Sequence, residues 1–152
     1  KSGLAYDEAV EEALCFGWID STTRSYDENH FIQSFTIRKS KSPWSPLNKN
    51  RVKKLIKDGL MTPAGHDSIK AARANGYWSI MDEVEKLVVP EDLQSAFRKN
   101  VKAEKFYQTL GMADKKLILR WLVLAQKPET REKRIAAIIE NGNEGKKPKQ
   151  LT

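Results

Sequence analysis

The feature that most limits what this chain can fold into is its proline and glycine punctuation. Ser45-Pro46 and Thr62-Pro63 each set a capping hydroxyl before a proline, and Gly59 and Asn75-Gly76 follow as stops. Proline lacks the N–H that a helix interior needs but fits its first turn, while Gly and Asn tolerate the backbone that ends a helix. Pro90, Gly111 and Pro128 divide the remainder in the same way. From Trp44 onward the chain is thus cut into short helices, and no apolar run reaches the ~18 residues of a membrane span.

Between these marks the apolar residues recur at spacings of three and four, which predicts amphipathic helices. Val52, Leu55 and Ile56 share one face, as do Ile69 and Ala72, then Leu93, Ala96 and Phe97. Phe106 and Leu110 mark a shorter helix, and Leu117, Ile118, Trp121, Leu122 and Ala125 form the strongest face of all. Ile135, Ile138 and Ile139 point one way on the last helix. Before Trp44 the pattern differs. Tyr6, Val10, Ala13 and Leu14 define a helix that Gly17 stops, whereas Trp18–Ser21 and Phe31–Arg38 read as paired strands. In the second strand Phe31, Phe35 and Ile37 fall on one face, with Ser34, Thr36 and Arg38 on the other.

The expected fold class is therefore α+β: a small antiparallel sheet with helices in the amino-terminal part, followed by an all-helical carboxy-terminal part. The boundaries read as an α+β domain over 1–89, a helical domain over 90–142 and a basic flexible tail over 143–152. Two strands alone are marginal, so a further strand is expected before Lys1.

Charge narrows the functional classes. The chain carries a net +7, but residues 1–28 hold −5 and residues 29–57 hold +8 with no acidic residue. A positive field with so definite an address favours an anionic partner: nucleic acid, a phosphate-bearing lipid or an acidic saccharide. The candidate anion-binding residues are Arg38, Lys39, Lys41, Trp44, Ser45, Asn48, Lys49 and Lys53. Lysines and arginines neutralise phosphates, an aromatic ring offers a stacking platform, and a helix amino terminus at Ser45 offers free N–H groups. Arg131 and Arg134 lie four residues before Ile135 and Ile138 and so share their helical face. They form a secondary anion or ion-pair site, because a partly buried guanidinium needs an acceptor.

The material for catalysis is thin. Cys15 is the only cysteine and His30 and His66 the only histidines, which excludes an internal disulfide and argues against a metal site. No cofactor is expected and no catalytic residue is assigned. Cys15, with Glu11 and Glu12 one turn back, reads as a small buried residue, and Asp20 as a strand-end hydrogen-bonding group.

Particular strings carry a resemblance. Ala13-Leu14-Cys15-Phe16-Gly17-Trp18-Ile19-Asp20-Ser21, Arg38-Lys39-Ser40-Lys41-Ser42-Pro43-Trp44-Ser45 with Asn48, and Met61-Thr62-Pro63-Ala64-Gly65 resemble the bacterial YdeI/OmpD-associated, or bacteriocin-protection, family. Trp121 to Ile135, with Glu129-Thr130-Arg131 and Arg134, resembles its carboxy-terminal helical domain. The chain departs from the family pattern at Ile37, where Pro is usual, and at Gln126, where Lys is usual. The resemblance implies an association with envelope stress, antimicrobial peptide resistance and an outer-membrane porin, and a strand before the first helix. It assigns no catalytic residue.

Three classes of function follow. The first is a non-catalytic module binding an anionic ligand through a basic surface. The second is a protein-interaction factor with an envelope protein partner, acting in stress or peptide resistance. The third, an enzyme, would need Asp20, Ser45 or Arg131 to converge with a titrating partner in a pocket. The expected location is cytoplasmic, or periplasmic if a signal peptide precedes Lys1.

Overall fold

The computed structural model describes residues 5–151 and divides into two units, Lys1–Ser79 and Ile80–Thr152. The expected strand before Lys1 lies outside the described residues. As expected, the first unit is α+β and the second is helical.

In the first unit helix α1 (Tyr6–Cys15) leads through Gly17 into strands β1 (Trp18–Ser25) and β2 (Phe31–Ile37), which pair antiparallel. Helices α2 (Pro46–Lys57) and α3 (Pro63–Ala74) follow. The pairing sets Trp18 against Ile37 and Asp20 against Phe35, then shifts register between Asp20 and Thr23. That irregularity explains why β1 outlasts the expected end at Ser21: a bulge absorbs polar residues that break the alternation without ending the strand. Its turn closes on His30, whose carbonyl accepts from the backbone N–H groups of Tyr26 and Asp27. β2 ends one residue before Arg38.

Both capping readings hold. Ser45 Oγ accepts from the Asn48 N–H at 3.2 Å, and Thr62 Oγ1 accepts from the Gly65 N–H at 3.4 Å. The buried set Val10, Leu14, Cys15, Trp44, Val52, Leu55, Ile69 and Ala72 forms the core, with Phe35, Met61 and Trp78 packed on it. The start of α3 is clamped to the end of α1. Thr62 donates to the Cys15 carbonyl twice, from its N–H at 3.1 Å and its hydroxyl at 2.6 Å. Gly17 and Gly65 make that approach possible, because a Cβ on Gly17 would sit 2.8 Å from the Ala64 carbonyl oxygen, and one on Gly65 would overlap the Cys15 carbonyl.

The second unit comprises α4 (Asp82–Glu85), α5 (Glu91–Arg98), α6 (Val101–Thr109), α7 (Met112–Val123) and α8 (Pro128–Asn143). Leu93, Leu119 and Leu122 are fully buried at its centre, with Phe97, Ile118 and Ile138. Met81 and Val84 join this core, and Ile80, Leu87 and Val89 pack against it, so residues 80–89 pack with the helical unit rather than with the α+β part. Gly142 does not end α8. It is buried where α8 crosses α6, and a Cβ there would lie 3.0 Å from that of Ala103. The basic tail is docked rather than free: Pro148 is fully buried, Lys147 Nζ reaches Asp114 at 2.9 Å, and a short 3-10 turn spans Lys149–Leu151.

Tyr107 supplies a stability test of this unit. Its hydroxyl is buried with no hydrogen-bond partner, and burial pushes the phenol up to about 12. Its ring packs on Phe97 at 5.1 Å between centroids. An unsatisfied buried hydroxyl costs ~1–3 kcal/mol, so Tyr107→Phe should leave the unit as stable or more stable, by up to about 1 kcal/mol. Urea denaturation followed by circular dichroism would read this, and a clear loss of stability would show that the hydroxyl has a partner in solution.

Candidate anion-binding surface

The residues proposed from the sequence share a region of the first unit but do not form one site. Arg38 is the informative case. The residue is 7% exposed, and its guanidinium lies 3.8 Å over the centroid of Trp44 and donates from Nη2 to the Pro43 carbonyl at 2.7 Å. Burial lowers its pKa to about 10, with nearby Asp20 opposing the shift. One residue past the end of β2, the side chain does not join a polar strand face but turns inward as a stacked core cation. Its Nε and Nη1 are buried without a protein partner.

Trp44 is 1% exposed, with Arg38 over its ring and Trp78 packed on it at 5.0 Å between centroids. It offers no open face for stacking. Ser45 spends its hydroxyl on the cap, and the Asn48 side-chain oxygen accepts from Arg51 at 2.9 Å. Arg51 also pairs with Asp7. Lys39, Lys41 and Lys53 are exposed, and half-buried Lys49 lies 5.4 Å from the centroid of Trp78.

A groove that the charge block did not reveal runs between α2 and α3. It is lined by Ile56, His66, Asp67, Ile69, Lys70 and Arg73 and encloses about 350 Å³. His66, Lys70 and Arg73 recur at spacings of four and three and so share one face of α3. Lys49 and Lys53 lie on the same side of α2 as Ile56. At the far end the Arg73 guanidinium stands 5.0 Å from the centroid of half-buried Trp78. The signal that could have located it was this spacing on α3, beside the buried face of Ile69 and Ala72.

Arg131 and Arg134 belong to the second unit. Arg131 pairs with Asp92 and donates to the Leu122 carbonyl at 3.3 Å, while Arg134 donates to the Trp121 carbonyl and lies 5.0 Å from the Trp121 ring. Both therefore close the carboxy-terminal end of α7, where partial negative charge collects. The Arg131 hydrogen bond holds the Asp92 carboxyl below the usual range.

The residues weighed for catalysis are otherwise engaged. Asp20 accepts from the Tyr6 hydroxyl at 2.9 Å, which pushes that phenol up. Burial, with Glu12 and Glu11, pushes the Cys15 thiol up. His30 faces Asp27 at 2.8 Å on the surface. Among the described residues no group of three His, Cys, Asp or Glu could hold a metal, and no helix is long and apolar enough to cross a membrane.

An α+β unit followed in the chain by a helical unit is the class of protein these features define. Residues 86–145 match the family described as bacteriocin-protection, YdeI or OmpD-associated, which shows the resemblance for that stretch. Residues 1–68 match a different model, a domain of unknown function, so the motifs between Ala13 and Gly65 fall under that description. No curated protein and no solved structure matches the chain significantly.

Proposed function

We propose that this protein is a non-catalytic module that binds an anionic ligand through the basic surface of its first unit. The observation that carries the reading is charge placement: residues 38–79 hold ten lysines and arginines against two acids, Asp58 and Asp67. Lys39, Lys41, Lys53, Lys54, Lys57 and Lys70 have no ion-pair partner among the described residues. Cations left unneutralised on adjacent elements raise the local potential and draw in polyanions. The ligand classes that fit are nucleic acid, a phosphate-bearing lipid and an acidic saccharide.

The test is fluorescence anisotropy with a labelled single-stranded oligonucleotide and a labelled anionic saccharide, each at low and near-physiological salt. Saturable binding to at least one, weakening steeply as salt rises, is the expected result. No binding to either at low salt overturns the reading.

A second reading, a protein-interaction factor in envelope stress or peptide resistance, draws support from the bacteriocin-protection description of the family and from an apolar groove. Ala9, Ala13, Phe16, Trp18 and Phe35 line that groove between α1 and the hairpin, with Phe16 50% and Trp18 41% exposed. Failure of both polyanions to bind would favour it.

A further inference from the structure

We infer that the groove between α2 and α3 seats the phosphodiester chain of a single-stranded nucleic acid, with its bases against Ile56, Ile69 and the exposed part of Trp78. The inference rests on the anion-binding reading and names the site and ligand class within it.

Three features of the groove select this ligand. Its α3 wall carries Lys70 and Arg73, and Lys53 lies on the same side of α2 as the lining residue Ile56. Its floor is apolar, formed by Ile56 and Ile69. Arg73, which lines it, also stands 5.0 Å from the centroid of the half-buried Trp78 ring, with Lys49 at 5.4 Å. A phosphodiester strand needs all three, because phosphates seek the cations while planar bases gain from apolar and aromatic surface. A sulfated or carboxylated saccharide uses the cations but presents hydroxyls to the isoleucine floor, where they find no acceptor. The volume, about 350 Å³, suits one nucleotide unit. Asp67 stands in the same wall and opposes an anion. It supplies a control of opposite sign.

The experiment titrates labelled oligothymidylate into four chains: wild type, Lys70→Ser with Arg73→Ser, Lys39→Ser with Lys41→Ser, and Asp67→Asn. Circular dichroism checks that each is folded. The groove pair should weaken binding about tenfold and flatten the log–log salt slope by about 1.4, since each single-strand phosphate contact contributes about 0.7. Asp67→Asn should tighten binding, and the loop pair Lys39 and Lys41 should change it less than the groove pair. Amide chemical-shift changes on wild type should centre on residues 66–78. The groove assignment is overturned if the loop pair abolishes binding while the groove pair does not, or if shifts centre on residues 38–45. Equal or tighter binding of a labelled anionic saccharide overturns the ligand class alone. If wild type binds neither polymer, the anion-binding reading itself fails.

Discussion

Gly65→Ala should destabilise the first unit by about 3 kcal/mol, whereas at an open helical position the same change stabilises by up to about 1 kcal/mol. The reason is the clamp between α1 and α3. A Cβ at residue 65 would overlap the Cys15 carbonyl oxygen and come 2.6 Å from the Met61 methyl group. Met61 can swing aside. Cys15 cannot, because its carbonyl already accepts two hydrogen bonds from Thr62 and its side chain is buried in the core. Relief of the overlap therefore requires α3 to move off α1, which breaks those bonds and opens contacts around Leu14 and Ile69. Alanine's better helix propensity returns at most about 1 kcal/mol. Gly111→Ala is the open-space control, since nothing lies within 4 Å of its added methyl group and its backbone is not left-handed, so it should lose no more than about 1 kcal/mol, the cost of a poorer N-cap. Urea denaturation of both variants, followed by tryptophan fluorescence and circular dichroism, reads the contrast. Equal midpoints for Gly65→Ala and wild type would show that the two helices are not so closely apposed.

The same glycines show what a sequence can and cannot disclose. Helix starts at Ser45-Pro46 and Thr62-Pro63 were legible because capping is local chemistry: the hydroxyl, the proline and the amide it satisfies lie within four residues. The purpose of Gly65 was not, since its partner Cys15 is remote in the chain. Gly142 is a crossing point for α6, which a missing side chain does not disclose, because it reads identically whether the backbone turns or another helix presses against it. Residues 80–89 lacked a period long enough to assign, and only burial of Met81 and Val84 fixes their core. The candidate site was legible as a region but not as a geometry. A run of positive charge points to the residues near Arg38, yet says nothing of whether a guanidinium faces water or a tryptophan. The groove cations Lys70 and Arg73 lie outside the acid-free run, on a helix whose mixed charge hides their shared face.

Trp44 decides between the two meanings that an aromatic beside a basic loop can carry. Trp44→Ala should cost the first unit about 3–5 kcal/mol, the usual range for removing a fully buried large aromatic. The ring is 1% exposed, carries Arg38 at 3.8 Å and packs against Trp78, so its loss leaves a cavity and strands a buried guanidinium. Trp44→Phe should cost far less. It keeps an aromatic surface for Arg38, and the indole Nε1 that it deletes has no hydrogen-bond partner to lose. Oligonucleotide affinity of the phenylalanine variant should stay within about twofold of wild type, because the ring has no free face for a base. A stacking platform would behave in the opposite way: truncation would spare the fold and remove about 1–3 kcal/mol of binding per stacked base. Measuring denaturation and anisotropy on the same two variants therefore separates the roles. If Trp44→Ala unfolds as wild type does and fails to bind, Trp44 is a ligand contact and the loop around it, not the groove between α2 and α3, is the binding surface.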